Sequence, residues 1–203
     1  MIKNYIFDFG NVLCEFYPDR LSAPYVENPH DLKEISEVVF DRLYWDRLDD
    51  GTITDEEVKK EIRRRLSGKK GEIGCKIYDN WVFNLTPVPG MESLIEDLDR
   101  KGCKLYLISN ISIGFAENYY KVPWMKNLLS KFDGLVFSGI LGKTKPGKEI
   151  FEYLLGKYSL KSDECIFIDD SQKNLDGAKA VGIKGCLFDG DANSLNDQYL
   201  RWF

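Results

Sequence analysis

Histidine is almost missing from this sequence. The 203 residues contain one, His30, which leaves almost no room for a Ser-His-Asp triad or a multi-histidine metal site. Cysteine is scarce as well. Cys14, Cys75, Cys103, Cys165 and Cys186 are scattered, odd in number and never paired as CxxC. That argues against a disulfide framework or a zinc site and fits a reducing, cytoplasmic setting. No apolar run approaches the length of a membrane span, so no membrane association is expected. The opening MIKNYIFDFG lacks the charged, apolar and small-residue regions of a secretory signal and reads instead as a first strand. Positive charge is not in excess either. Lys plus Arg number 28 against 33 Asp plus Glu, a net charge of -5, which argues against a nucleic-acid partner. The one basic stretch, residues 59–76, is interleaved with Glu56, Glu57 and Glu61, as on a solvated helix with i,i+4 pairs. A role for it in attracting an anionic substrate stays open. What remains for chemistry is carboxylate, lysine and small polar groups acting on a small molecule, in a monomer or homodimer.

The residues that are present describe an ordinary soluble domain, with 43% hydrophobic and 30% charged side chains, enough to bury a real core. Five short runs, at 5–9, 104–109, 134–138, 165–169 and 185–188, read as strands, and most have the two-sided hydrophobicity of buried parallel strands. Helical stripes alternate with them. Met91, Leu94, Ile95 and Leu98 precede a stop at Gly102, Ile150 to Tyr158 make a second stripe, and Lys173 to Val181 a third that ends at Gly182. This alternation predicts an α/β, Rossmann-like parallel sheet with helices on both faces. Residues 15–86 break the rhythm. They show amphipathic helix patterns at 32–43 and 55–66, the latter with a capping box from Thr54 to Glu57, and no convincing strand. A core of residues 1–14 and 87–203 interrupted by a helical insertion of residues 15–86 is the expected organisation.

In an open parallel sheet, ligands bind beyond the carboxyl ends of the strands. The residues there are Asp8 to Val12, Ser109-Asn110, Lys143 to Pro146, and Asp169-Asp170. Carboxylates can attack phosphorus and hold a hard cation, while lysine and hydrogen-bond donors neutralise phosphate oxygens. Each group also has a plainer reading. Asp8 can end a strand, Asp169-Asp170-Ser171 can cap a helix, Ser109-Asn110 can form a turn, and Lys145 can be an exposed residue before a helix-starting proline, with Lys143 its competitor.

The four strand-end groups, in order, resemble the four motifs of haloacid dehalogenase-like hydrolases. These are IFDFGNVL, LYLISN, Lys145-Pro146 and IFIDDSQKN, and the insertion lies where that family carries a helical cap. The first motif is most similar to the subgroup that includes bacterial α-glucose-1-phosphatase. The resemblance implies a phosphatase in which Asp8 is the nucleophile and forms an aspartyl-phosphate. It implies Mg2+ held by Asp8, the Gly10 carbonyl and Asp170, with Asp169 in or near its outer sphere. Ser109, Asn110, Asn11 and Gly10 would surround the phosphoryl group of a small phosphorylated substrate, and Lys145 would balance its charge. One position departs. The family's phosphatases carry a second aspartate two residues after the nucleophile, where this chain has Gly10, so the proton donor to the leaving group is missing. The rate is then expected to depend steeply on leaving-group stability, unless Glu15 or a water held by Asp169 supplies the proton. Two other readings follow from Gly10: a 2-haloacid dehalogenase-type hydrolase, which retention of the Asp169-Asp170 pair disfavours, and a low-activity scaffold that binds a phosphometabolite or protein. Candidate substrate-selecting residues in the insertion are Glu15, Arg42, Trp45, Arg47 and Trp81.

Overall fold

The computed structural model describes residues 2–199. Its chain begins with β1 (Asn4–Phe7), buried along its whole length, and turns at once into the short β2 (Cys14–Glu15). Five α-helices follow: α1 (Pro18–Ser22), α2 (Pro29–Val39), α3 (Arg42–Asp49), α4 (Asp55–Arg65) and α5 (Lys69–Asn80). The chain then returns through β3 (Thr86–Pro87), which pairs antiparallel with β2, Cys14 opposite Pro87 and Glu15 opposite Thr86. Both ends of the helical segment therefore leave and rejoin the sheet side by side, a few residues from Asp8.

From there strands and helices alternate. They are α6 (Met91–Arg100), β4 (Lys104–Ser109), α7 (Ile113–Ala116), α8 (Pro123–Leu129), β5 (Gly134–Phe137), α9 (Ser138–Leu141), α10 (Lys148–Tyr158), β6 (Cys165–Asp169), α11 (Gln172–Ala180), β7 (Lys184–Leu187) and α12 (Ala192–Tyr199). The main sheet is parallel in the order β5-β4-β1-β6-β7. β1 is central, with β4 on one side and β6 on the other, so the strand order reverses around it. The switch point of a doubly wound sheet opens a crevice at the carboxyl end of that strand, which is where Asp8 stands.

The expected strands and the three core helices are all present within a residue or two at their ends. The helical segment differs in one respect. The apolar pattern at 32–43 belongs to two helices, because Phe40 ends α2 and the Asp41 carboxylate accepts from the Leu43 amide to start α3. A capping side chain two residues after a helix end starts a new helix without disturbing the apolar spacing, so periodicity alone runs the two together. The Thr54–Glu57 capping box is formed in both directions, and Asn28 caps α2 just ahead of His30. The basic stretch is tied into ion pairs, among them Lys59–Glu56, Arg63–Glu72 and Arg64–Glu61. All five cysteines are free thiols, and no helix among the described residues is long and apolar enough to cross a membrane.

The core forms two layers. Ile6, Tyr106, Phe151, Leu154 and Phe167 pack on one face of the sheet under α10 and α11. On the other face, Phe7, Phe9, Leu105 and Leu107 belong to a buried cluster that continues into the helical segment through Val39, Trp45, Ile62 and Trp81. The helical segment thus shares its core with the sheet. An aromatic chain marks the seam: Trp45 to Trp81 at 5.2 Å between ring centroids, Trp81 stacked on Phe115 at 6.0 Å, and Phe115 on Phe9 at 4.9 Å.

Candidate active site

Asp8 follows β1 directly. Its amide still donates to Ile168 O at 2.9 Å, which holds the backbone on the sheet edge. The next residues fold into a tight turn in which the Phe9 carbonyl accepts from the amides of Leu13 and Cys14 and Asn11 adopts a left-handed φ of 56°. Asparagine tolerates that conformation better than most residues, and its side-chain oxygen accepts from the Phe16 amide at 3.0 Å. The Gly10 carbonyl, by contrast, accepts no hydrogen bond among the described residues.

Lys145 reaches the site on the loop between α9 and α10. Asn110, just past β4, clamps that loop at two points: its side-chain oxygen accepts from Lys145 N at 2.7 Å and its amide donates to Lys145 O at 2.9 Å. From the other side α11 presses against Pro146 so closely that a Cβ on Gly177 would lie 2.2 Å from the Pro146 carbonyl oxygen. The ammonium is thereby delivered between two carboxylates. It lies 2.6 Å from Asp8 Oδ1 and 2.8 Å from Asp169 Oδ2, and the Lys145 side chain is 1% exposed. Lys143 is exposed at the surface, so the choice between the two lysines falls on geometry.

Asp169, the last residue of β6, is fully buried and fully engaged. Its oxygens accept from Lys145, from the Ser171 amide at 2.8 Å and from the Asn174 amide at 3.0 and 3.1 Å. Asp170 beside it is exposed. Asp8, Asp169 and Asp170 each offer an oxygen within 4.8 Å of the others. Three carboxylates against one buried ammonium leave an excess of negative charge. Burial raises the Asp8 carboxyl above its usual range, with Lys145 opposing and Asp169 adding to the rise. For Lys145, burial favours the neutral form, but the two carboxylates outweigh it and hold the ammonium above its ordinary value. Burial and Asp169 also raise Asp170, against a hydrogen bond from the Asn11 side chain. The cluster as a whole favours uptake of positive charge. Among the described residues both Asp8 hydrogen bonds, from Lys145 and from the Phe9 amide at 2.6 Å, fall on Oδ1, and Oδ2 has no partner.

Of the residues expected to surround a phosphoryl group, Ser109 is buried at the end of β4 and its hydroxyl makes no hydrogen bond among the described residues. Asn110 and Asn11 are differently employed. The Asn110 amide is spent on the Lys145 backbone, and Asn11 spends its oxygen on Phe16, its amide on Asp170 and its backbone N–H on Cys14. Among the insertion's candidates, Arg42 pairs with Asp46, Arg47 donates to Thr52 O and Glu15 holds Arg20 and Thr86. Trp45 and Trp81 are buried in the aromatic seam, and Trp81 also lines a cavity of about 360 Å³ with Lys59, Phe115 and Lys121. Two residues escaped the sequence reading. Asn174 lies inside the fourth motif but carried no role. Asp49 ends α3 and is 7% exposed; its signal was an acid on the buried face of an amphipathic helix, in step with Trp45 and Leu48.

Residues 2–182 match the family model for haloacid dehalogenase-like hydrolases. The chain belongs to that family. As a haloacid dehalogenase-like hydrolase it is 27% identical over 183 residues to a sesquiterpene phosphatase of Aspergillus oryzae, covering 90% of this chain and 88% of the relative. It is 25% identical over 191 residues to a D-ribitol-5-phosphate phosphatase of Bacteroides thetaiotaomicron, covering 91% and 90%. Its fold matches that of a family enzyme from Bacteroides thetaiotaomicron solved with magnesium and inorganic phosphate. That match has a TM-score of 0.71 and 24% identity, covering 96% of this chain and 99% of the other.

The close approach of α11 to the lysine loop gives this hydrolase a paired stability test. Gly177→Ala should destabilise the fold by about 1–3 kcal/mol through overpacking. Gly156→Ala in α10, where a Cβ meets nothing within 4 Å, should stabilise it by about 0.5–1 kcal/mol. Urea unfolding midpoints measure both, and equal midpoints would show that the α11 contact is not tight.

Proposed function

We propose that the protein is a Mg2+-dependent phosphatase that transfers the phosphoryl group of a small phosphorylated metabolite to Asp8 and then to water. The observation that carries this reading is the state of Asp8. It is a buried carboxylate at the switch point of the sheet, with one oxygen fixed by a lysine and a backbone amide and the other without a partner among the described residues. In this reading Asp8 Oδ2 attacks phosphorus, the leaving oxygen departs, and an aspartyl-phosphate forms. Water then attacks phosphorus and the bond to Asp8 breaks, releasing inorganic phosphate. Lys145 offsets the negative charge on the phosphoryl oxygens, and the Ser109 hydroxyl donates to one of them. Asn110 acts by holding the lysine loop, and Asn11 by shaping the turn and holding Asp170.

The donor set fits a hard divalent cation: carboxylate oxygens of Asp8 and Asp170 and the unpaired Gly10 carbonyl, in a cluster with surplus negative charge. Bound there, Mg2+ would neutralise phosphoryl oxygens. Asp169 has no oxygen to spare and serves instead to anchor Lys145. That same acidic pair favours a phosphatase over a metal-free dehalogenase. Residues 15–86 are proposed as a cap domain that selects the leaving group, and a sugar-1-phosphate is the substrate class to screen first.

Asp8→Asn should abolish turnover of an aryl phosphate while leaving the protein folded by circular dichroism, at a lower thermal midpoint because Lys145 loses a charged partner; the amide is nearly isosteric but a poor nucleophile. Activity above a few per cent in a clean preparation would place the nucleophile elsewhere. Metal removal separates the two acids. Asp170→Asn should weaken Mg2+ binding about tenfold or more by calorimetry, whereas Asp169→Asn should mainly cost stability. Equal loss of affinity in both variants would overturn the ligand assignment, and full activity in a chelator would remove the metal from the mechanism.

A further inference from the structure

Asp49 is placed badly for stability. It is the last residue of α3, where the helix dipole disfavours an acid. It is 7% exposed, and its carboxylate makes no hydrogen bond or ion pair among the described residues. A buried, unpaired acid at the wrong end of a helix is a cost that packing does not explain.

Its position supplies a reason. Trp45 and Asp49 are four residues apart and share the buried face of α3 with Leu48. Trp45 packs through Trp81 and Phe115 onto Phe9, the neighbour of Asp8. The end of α3 is seated on the core by Gly51, whose φ of 75° takes the chain so close to the start of α9 that a Cβ there would lie 2.5 Å from Gly139 O. Gly139 in turn is tied to the loop after β4 by its amide, which donates to Ile111 O at 3.0 Å. Asp49 is therefore held over the carboxyl edge of the sheet. It lies outside the group of three carboxylates whose oxygens fall within 4.8 Å of one another. A Cβ on Gly10 would meet nothing within 4 Å, so the space a side chain would take there is open.

We propose that Asp49 is the proton donor and acceptor of the phosphatase reaction, reaching from the helical segment to do what Gly10 cannot. The inference rests on the phosphatase reading above. In the first half-reaction the oxygen of Asp8 bonds to phosphorus, the bond from phosphorus to the leaving oxygen breaks, and the Asp49 carboxyl gives that oxygen its proton. In the second, the Asp49 carboxylate takes a proton from water as the water oxygen bonds to phosphorus, and the bond to Asp8 breaks. Asp49 ends protonated, as it began.

The electrostatics suit the role. Burial, chiefly, pushes the Asp49 carboxyl up to about 7, with Arg42 and Lys145 lowering it and Asp46 and Asp8 raising it. The residues of α9, which pack against α3, carry no ionisable side chain. An acid–base group poised near neutrality is the useful kind. Of the other candidates, both Asp169 oxygens are saturated, and Glu15 is held through Oε2 by Arg20 and Thr86. Asp49 thus removes the steep leaving-group dependence expected from Gly10 alone.

The test compares single-turnover cleavage of 4-nitrophenyl phosphate, whose leaving group needs no proton, with that of a primary alkyl phosphate, in Mg2+. Asp49→Asn should slow alkyl phosphate cleavage by roughly 10²–10⁴-fold and nitrophenyl phosphate cleavage far less. With water attack now lacking its base, nitrophenolate should appear as a burst of one equivalent per site. The double variant Asp49→Asn/Gly10→Asp should recover alkyl phosphate cleavage. The thermal midpoint of Asp49→Asn should match or exceed the native value, because an unpaired buried charge is gone. Equal slowing of both substrates, with or without a lowered midpoint, would make Asp49 structural and overturn the proposal, as would an unchanged alkyl rate. Asp8→Asn separates the two levels: if it still turns over, the phosphatase reading itself fails, whereas a dead Asp8→Asn beside an unaltered Asp49→Asn fails only the proton assignment.

Discussion

Everything in this site is arranged around one ammonium group. Lys145 lies between Asp8 and Asp169, out of contact with solvent, and two strands, two loops and a helix converge to put it there. A buried charge of this kind is sustained only by partners of opposite sign; removing one partner typically costs about 3–5 kcal/mol. The asymmetry of the pair is what matters for chemistry. Asp169 spends all its acceptor capacity on Lys145, Ser171 and Asn174, whereas one Asp8 oxygen has no partner among the described residues. One carboxylate holds the lysine through a saturated set of hydrogen bonds, and the other meets it through a single oxygen.

The topology explains why these groups can meet. β1 is central, and the chain passes to β4 and β5 on one side before crossing to β6 and β7 on the other. Residues separated by more than a hundred positions then leave adjacent strands at the same edge. The helical segment departs and returns beside Asp8 through β2 and β3 and shares the sheet's apolar core. The helical segment and the sheet thus bury one continuous apolar cluster on the Phe9 side of Asp8.

Much of this was legible in the sequence because it rests on local pattern. Two-sided apolar runs gave β4, β5 and β6, and an acid inside YIFDFG had to have a partner. The Thr54–Glu57 box follows from spacing alone. What the sequence concealed depends on tertiary placement. Ser109 and Asn110 are neighbours with similar chemistry, yet the Ser109 hydroxyl has no partner among the described residues and the Asn110 side chain is spent on the Lys145 backbone. The break at Phe40-Asp41 leaves the apolar period intact, so α2 and α3 merge in a periodicity reading. Asp49 looked like one of several acids in RLDDGTITDEE. Only its burial, beside the exposed Asp46 and half-buried Asp50, distinguishes it.

The central claim is that the phosphoryl group passes through Asp8. The most direct measurement is acid quenching of the protein during steady turnover of an aryl phosphate with Mg2+, followed by peptide mass spectrometry. The account predicts one phosphoryl group on the peptide containing Asp8, formed and lost at rates that match turnover. Turnover with no phosphorylated peptide at any time, or with the group on another residue, would contradict it.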